Sequence, residues 1–211
     1  KHASARLRGD KEIILAAAKK WNSAKVLNLA STELQDDREV VLHCVKIRGD
    51  AIQHASARLR GDKKIILAAI EKRNGDTVLN LASTELQDDR EVVLECVKIR
   101  GDAIKHASAR LRGDKEIILA AANEWTSAEV LNLASTELQD DREVVLRIVE
   151  LNPNAIEYAS ARLRSDKQII LAAEKARARK RDRDASSSES SSHKSSSSSS
   201  SDSCSIAGSD G

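Results

Sequence analysis

The sequence predicts an all-α fold in which αα-hairpins stack in tandem as a solenoid and are followed by a disordered C-terminal tail. Three observations support it: a 52-residue internal repeat, a weaker repeat of about 26 residues inside it, and helical spacing of apolar residues in each unit. Because a hairpin of this length cannot bury its own apolar face, the units must gain their stability by stacking on neighbours.

The 52-residue period follows from one recurring motif. His2-Ala-Ser-Ala-Arg-Leu-Arg-Gly-Asp10 returns at His54 and His106, and a variant of it starts at Tyr158. The copies over 2–53 and 54–105 are identical at 43 of 52 positions, so their sameness reports recent duplication more than functional constraint. The predicted domains are a repeat array over 1–176 (super-repeats 2–53, 54–105, 106–157 and a partial copy 158–176), a basic helix end or linker over 177–184, and a disordered serine-rich tail over 185–211.

Each unit of about 26 residues is predicted to hold two helices, the first of which starts at an aspartate. Asp followed by Lys or Arg recurs at positions 10, 37, 62, 89, 114, 141 and 166. The carboxylate of such a residue can cap the free backbone N–H groups of a helix start. Asp36 and Glu39 also have the spacing of a capping box. One face of the first helix stays apolar through Ile13, Ile14, Ala17, Ala18 and Trp21.

A short turn should lead into a second, continuous helix in every unit. Its apolar residues have the spacing i, i+3, i+7, and Gly61 or Gly113 can end it. The turn is Arg48-Gly49-Asp50 in alternate units, and Asn152-Pro153 replaces it in the third copy. The spaced apolar residues are Leu27, Ala30 and Leu34 in one kind of unit and Ile52, Ala55 and Leu59 in the other.

Charge is balanced over the repeats but alternates along one edge. Residues 1–173 hold 28 basic and 27 acidic side chains, so the array lacks the summed field expected of a protein that binds phosphate backbones. The ends of successive second helices alternate in sign, which predicts an electrostatic ladder that sets the register between units. The basic set is Arg6, Arg8, Lys11, Arg58, Arg60, Lys63, Arg110, Arg112 and Lys115, and the acidic set is Glu33, Asp36, Asp37, Glu85, Asp88, Asp89, Glu137, Asp140 and Asp141.

No motif in the chain indicates catalysis, a cofactor or a metal. Nothing resembles a nucleophile elbow, a P-loop or a glycine-rich phosphate turn. His2, His54 and His106 recur two stacking steps apart, roughly 20 Å, which is too far for them to share a metal ion. The same separation excludes a disulfide between Cys44 and Cys96 and favours a buried slot in a reducing compartment.

Candidate partner-binding residues are the positions at which the copies differ. These differences concentrate at 18–25 and at position 43. Trp21 and Trp125 can act as binding anchors or can extend the packed face, and the sequence favours packing. The candidate partner-binding residues are Lys19, Trp21, Lys25, His43, Arg73, Glu95, Trp125 and Arg147.

Beyond the array the composition becomes basic and then rich in serine. Fifteen of residues 186–205 are Ser, and such a stretch has too little apolar surface to offset the entropy of ordering. Ser186 and Ser199 each precede an acidic residue by three, a pattern that acidophilic kinases use, so both are candidate phosphorylation sites. A candidate nuclear-import or nucleic-acid segment contains Arg177, Arg179, Lys180, Arg181 and Arg183, although cations at a helix end also favour the helix dipole.

The stretch from Asp141 to Asp166 resembles a known repeat. It contains Asp-Arg-Glu-Val-Val-Leu, a turn Asn152-Pro153-Asn154, and then Tyr158-Ala-Ser with a spaced Leu163. This pattern is similar to that of the family called domain of unknown function 4116, and the resemblance covers most of residues 1–173. Earlier copies depart from it, with His or Leu in place of Tyr. The resemblance implies a helical-repeat module of uncharacterised function and transfers no catalytic residue.

These observations predict a non-enzymatic scaffold that binds proteins. Two alternatives stay open: a nucleic-acid-associated protein that uses 177–183, and a docking array of a larger enzyme or effector. The second alternative fits a start at Lys1 in the middle of a repeat, which suggests a fragment. The longest apolar runs fall far short of a membrane span of ~20 residues. We expect an intracellular protein, mainly cytoplasmic, with a nuclear location as the alternative.

Overall fold

The computed structural model of the chain describes residues 4–72 and 78–192, with residue 5 and residues 183–192 described by their backbone alone. All regular structure in these ranges is helical, which confirms the predicted all-α fold. Contacts divide the chain into two compact units, Lys1–Ala176 and Arg177–Gly211. The first unit corresponds to the predicted repeat array.

The helices alternate between long ones of nine or more residues and short ones of four or five. The helices of the first half of the array are α1 (Ala5–Arg8), α2 (Lys11–Trp21), α3 (Lys25–Leu29), α4 (Thr32–Gln35), α5 (Arg38–Ile47), α6 (Ala57–Arg60), α7 (Lys63–Glu71) and α8 (Val78–Leu81). Those that follow are α9 (Thr84–Gln87), α10 (Arg90–Ile99), α11 (Lys115–Glu124), α12 (Glu129–Leu133), α13 (Thr136–Gln139), α14 (Arg142–Leu151), α15 (Ala161–Arg164) and α16 (Lys167–Ser192). Short 3₁₀ helices occupy Gly49–His54, Gly101–His106, Leu111–Gly113 and Pro153–Tyr158.

Aspartate begins every long helix of the array, as the sequence predicts. The Asp10 carboxylate accepts a hydrogen bond from the Ile13 N–H at 3.1 Å, and Asp37 accepts from the N–H groups of Glu39 and Val40. The same bonds recur at Asp62, Asp89, Asp114, Asp141 and Asp166. The expected capping box at Asp36 and Glu39 is wrong, because Asp36 lies outside the helix and binds Ser56 and Arg58 of the next unit.

The predicted second helix is not continuous. An extended residue pair, Ala30-Ser31 or Ala55-Ser56, divides it into two short helical segments in every unit. The break has a physical reason, since the serine N–H leaves the helix and donates to a carbonyl of the preceding unit. These inter-unit bonds are Ser31 to Arg8, Ser56 to Gln35, Ser83 to Arg60, Ser108 to Gln87, Ser135 to Arg112 and Ser160 to Gln139, at 2.9–3.2 Å.

One apolar core runs through the array and contains no buried polar or charged side chain among the described residues. Cys44 and Cys96 lie in it, and Ile148 fills the equivalent place in the third copy, as expected for a small apolar slot. Burial raises the pKa of the Cys44 thiol to about 11 and that of Cys96 to about 12. Both thiols therefore stay protonated and unreactive near neutral pH.

The last helix departs from the predicted domain limits. Helix α16 continues to Ser192, past the expected start of the disordered tail at 185. The rest of that predicted tail, residues 193–211, lies outside the described residues. Gly61 ends α6 with a negative φ of −94°, and Ser165 takes the same position with φ −98°, so no left-handed glycine cap is needed there.

Candidate protein-interaction surface

Ion pairs connect each long helix of the array to the next one. The Lys or Arg that follows the capping aspartate of one unit reaches the capping aspartate of the following unit. The pairs are Lys11–Asp37 (3.1 Å), Arg38–Asp62 (2.7 Å), Lys63–Asp89 (2.8 Å), Arg90–Asp114 (2.8 Å), Lys115–Asp141 (3.3 Å) and Arg142–Asp166 (3.2 Å). This ladder repeats at every unit, so it does not depend on the alternation of charge that the sequence emphasises.

A second contact appears at alternate steps and has the predicted alternation of sign. Asp36 accepts from the Ser56 hydroxyl and pairs with Arg58 at 3.1 Å, while the Arg58 guanidinium also donates to the Asp36 backbone carbonyl at 2.7 Å. The Ser56 hydroxyl and the Arg58 guanidinium together lower the pKa of the Asp36 carboxyl. The equivalent pairs are Asp88 with Ser108 and Arg110, and Asp140 with Ser160 and Arg162.

Most of the charged edge is therefore occupied by contacts between repeats. The remaining candidate positions form two sets. The helix row is His43, Glu95 and Arg147, which occupy one register position on α5, α10 and α14. The turn row is the set of variable residues at the ends of α2 and α11 and the starts of α3 and α12, namely Lys19, Trp21, Lys25, Glu124, Trp125 and Glu129.

The helix row changes its charge from one copy to the next. Arg147 is exposed, and His43 and Glu95 are half-buried. Glu95 pairs with Lys98 at 2.9 Å, and Arg147 pairs with Glu150 at 3.7 Å, both within one helix turn. Adjacent members are two stacking steps apart, or roughly 20 Å. Their contacts are local, so the helix row carries a different charge at each super-repeat without altering the packing between units.

Trp21 and Trp125 occupy the same register position but have different surroundings. Trp21 ends α2 and is 61% exposed, whereas Trp125 is half-buried against the core. The local backbone differs because Asn22 adopts φ 44°, a left-handed conformation that Asn tolerates and that the β-branched Thr126 disfavours. The preference for packing over anchoring thus fits Trp125 and does not describe Trp21.

A cleft lies beside Trp125. It has a volume of about 510 Å³ and is lined by Ile99, Arg100, Gly101, Asp102, Glu124 and Trp125. The Lys105 ammonium lies 4.5 Å from the centroid of the Trp125 ring, close enough for a cation–π contact, and it also pairs with Glu129 at 3.3 Å. Sequence reasoning missed Lys105 and Gly101. A usable signal exists, since Lys stands 20 residues before each Trp whereas Gln53 stands 20 before Arg73.

The remaining candidates fall on α16 or outside the described residues. Arg177, Arg179, Lys180 and Arg181 are exposed on α16. The α16 backbone also contains Arg183 and Ser186. Arg73 and Ser199 lie outside the described residues.

Two searches over the described ranges returned nothing. No cluster of three or more His, Cys, Asp or Glu side chains is placed to hold a metal ion in residues 4–72 and 78–192. Over the same ranges, no helix combines the length and the apolar character that crossing a membrane requires.

The first unit of the chain is thus a helical tandem-repeat protein, with capped long helices, broken short helices and inter-unit ladders. The chain belongs to the family described as Domain of unknown function (DUF4116), whose sequence pattern matches residues 37–87, 89–139 and 141–176. Each match starts at the capping aspartate of a long helix, so the frame of the family repeat is shifted from the super-repeats at 2–53 and 54–105. Comparison with curated proteins and with solved structures gave no match.

Proposed function

We propose that this chain is a non-enzymatic scaffold whose helical repeats bind proteins through the helix row and the turn row. One observation carries this proposal: the interior is nearly the same in every copy, while the charged side chains that differ between copies lie at the surface. At position 19 of the repeat, Lys19, Glu71 and Asn123 are all exposed. A row that presents a different charge every ~20 Å suits selection of an extended partner by charge complementarity.

The electrostatics of the array also support a protein partner. Residues 1–173 carry a net charge of +1, from 28 basic and 27 acidic residues, so no strong field would attract a polyanion. The two ladders already pair many of these charges across units. A protein with a mixed surface is the partner class that fits such a balance. The buried free thiols Cys44 and Cys96 fit an intracellular, reducing location.

The proposal is tested with the full chain as bait in affinity capture followed by mass spectrometry. The variant H43A/E95A/R147A removes the helix row, and N28A/N80A/N132A is the matched control. Asn28, Asn80 and Asn132 are exposed, identical in all copies and spaced by the same 52 residues. We expect the helix-row variant to lose binders that the wild type and the control variant retain. A set of binders that is unchanged by the helix-row variant and by a W21A/W125A variant would overturn the proposal.

A second candidate function rests on the exposed cations of α16. Arg177, Arg179, Lys180 and Arg181 occur within five residues of one helix, which makes this segment the most basic stretch of the chain. Such a cluster could contact a nucleic-acid backbone, with an affinity that falls steeply as salt rises. Filter binding with duplex and single-stranded nucleic acid over a salt series tests this function. Weak binding that R177E/R181E leaves unchanged would exclude this role for the segment.

A further inference from the structure

Three apolar side chains at the start of the array are exposed where their counterparts are buried. Leu7, Ile13 and Trp21 are 43%, 41% and 61% exposed and are named here the N-terminal stacking face. The equivalents of Leu7 are Leu59 and Leu111, both 1% exposed, and the equivalents of Ile13 are Ile65 and Ile117, both 0%. The N-terminal stacking face therefore consists of residues whose types form the core in later copies.

The third super-repeat shows what covers such a face. Helix α11 packs against α10 and against the 3₁₀ helix Gly101–His106 of the preceding unit. Gly101 lies so close to α11 that a β-carbon there would collide with the Ala121 carbonyl oxygen and with Trp125. Lys105 then covers the indole ring at 4.5 Å. A glycine turn followed four residues later by lysine is thus the complement of a tryptophan at this position.

The exposed faces at the two ends of the array are different, which gives stacking a direction. Position 13 of the repeat faces the preceding unit, and position 14 faces the following one. Ile14, Ile66 and Ile118 are buried, whereas their counterpart Ile170 near the end of the array is 37% exposed. The N-terminal stacking face is therefore complementary to the forward face of a repeat unit and not to another copy of itself, which is a heterologous contact.

We propose that the N-terminal stacking face docks a helical repeat unit that has the chemistry of residues 89–104, with an Arg-Gly-Asp-Ala-Ile turn directly before Lys1. The sequence agrees with this occupant, because Lys1 stands 20 residues before Trp21 as Lys105 does before Trp125. The occupant supplies the glycine turn against α2, and its long helix covers Ile13 as α10 covers Ile117. This surface is separate from the helix row, so it does not depend on the proposed function.

The test extends the full chain by joining a copy of residues 54–104 ahead of Lys1, which preserves the 52-residue register. In a W125F background Trp21 is the only tryptophan, because the chain contains two. We expect the extension to shift Trp21 emission to the blue and to reduce its quenching by acrylamide several-fold. The matched control is the same extension with the equivalent of Gly101 replaced by Val, which should leave Trp21 as accessible as in the unextended chain.

A second measurement keeps the proposal testable if the glycine variant folds poorly. I13D should lower the melting temperature of the extended chain strongly and that of the unextended chain little. Equal effects of I13D in both chains, or unchanged quenching of Trp21 on extension, would overturn the proposal. Protection of Trp21 in the unextended chain that rises with protein concentration would overturn it too, because the occupant would then be a second copy.

Discussion

Two segments of the array have the same nine residues and different environments. Residues 10–18 and 114–122 both read Asp-Lys-Glu-Ile-Ile-Leu-Ala-Ala-Ala, and both begin a helix capped by the aspartate. Ile13 is 41% exposed in the first, while Ile117 is fully buried in the second because α10 packs on it. Local sequence therefore determines the helix and its cap, and the neighbouring unit determines what the helix buries.

The largest effect that distinguishes these segments is expected from truncating the isoleucine. Ile117→Ala removes a fully buried side chain from the core and should lower the free energy of unfolding by about 2–5 kcal/mol. Ile13→Ala makes the same chemical change at a 41% exposed position and should cost far less. Urea unfolding followed by circular dichroism measures both. Equal costs would show that Ile13 is covered in solution, which would contradict the exposed state described for this segment.

A smaller effect is expected at the glycines of the array. Gly101→Ala places a β-carbon against the Ala121 carbonyl and Trp125, so neighbouring backbone has to move at a cost of about 1–3 kcal/mol. Gly113→Ala is the matched control, because its β-carbon would meet only the Ser135 side chain at 3.5–3.6 Å, an ordinary contact. Thermal unfolding should show a lower midpoint for the first variant alone. A normal midpoint for Gly101→Ala would mean that the two units are separated there.

The capped long helices were predictable from sequence, and the broken short helices were not. Aspartate before a Lys or Arg and an apolar run is a local signal, and every such residue of the array caps a helix. The spacing of Leu27, Ala30 and Leu34 is satisfied equally by one helix or by two short ones, so apolar periodicity could not distinguish them. The recurring Ala-Ser pair was the missing signal, since Ser is a preferred residue at a helix start.

The candidate site was harder to predict because its exposure depends on neighbours. Trp21 and Trp125 have the same spacing from the apolar face, so no pattern within their own unit separates them. Their difference comes from Asn22 against Thr126 in the local backbone and from the approach of Gly101. Inter-unit contacts of this kind become visible only when residues 20–28 positions apart are compared, as in the Lys105–Trp125 pair.

The break in the short helices leads to a prediction of intermediate size. The Ser56 hydroxyl accepts a hydrogen bond from the Leu59 N–H at 3.2 Å and donates to Asp36, so Ser56→Ala should cost about 0.5–2 kcal/mol. Ser31 has the same backbone role but no capping bond from its side chain, so Ser31→Ala should cost less. Chemical denaturation of both variants compares the two kinds of unit. A larger loss for Ser31→Ala would show that the alternate contact through Asp36 contributes little.

The smallest effect concerns the ion pairs that attach each long helix to its predecessor. Arg38 lowers the pKa of the Asp62 carboxyl through a hydrogen-bonded ion pair, with help from the N–H groups that Asp62 caps. The unfolded chain therefore binds more protons than the folded one as the pH falls below about 4, where an ordinary aspartate titrates. The stabilisation is complete above that pH and is lost as the pH falls through the lowered pKa of the folded state.

Arg38→Gln removes the cation, so it should flatten the dependence of the melting temperature on pH between the neutral range and the acid limb. Lys98→Gln is the control, because Lys98 pairs with Glu95 inside one helix and contributes nothing to attachment between units. High salt should reproduce part of the Arg38→Gln effect in the wild type, since partly exposed pairs are screened. Identical pH profiles for wild type and Arg38→Gln would mean that the capping bonds alone hold the Asp62 carboxyl in its charged form, and the ladder would then be a geometric consequence of stacking and not a contributor to it.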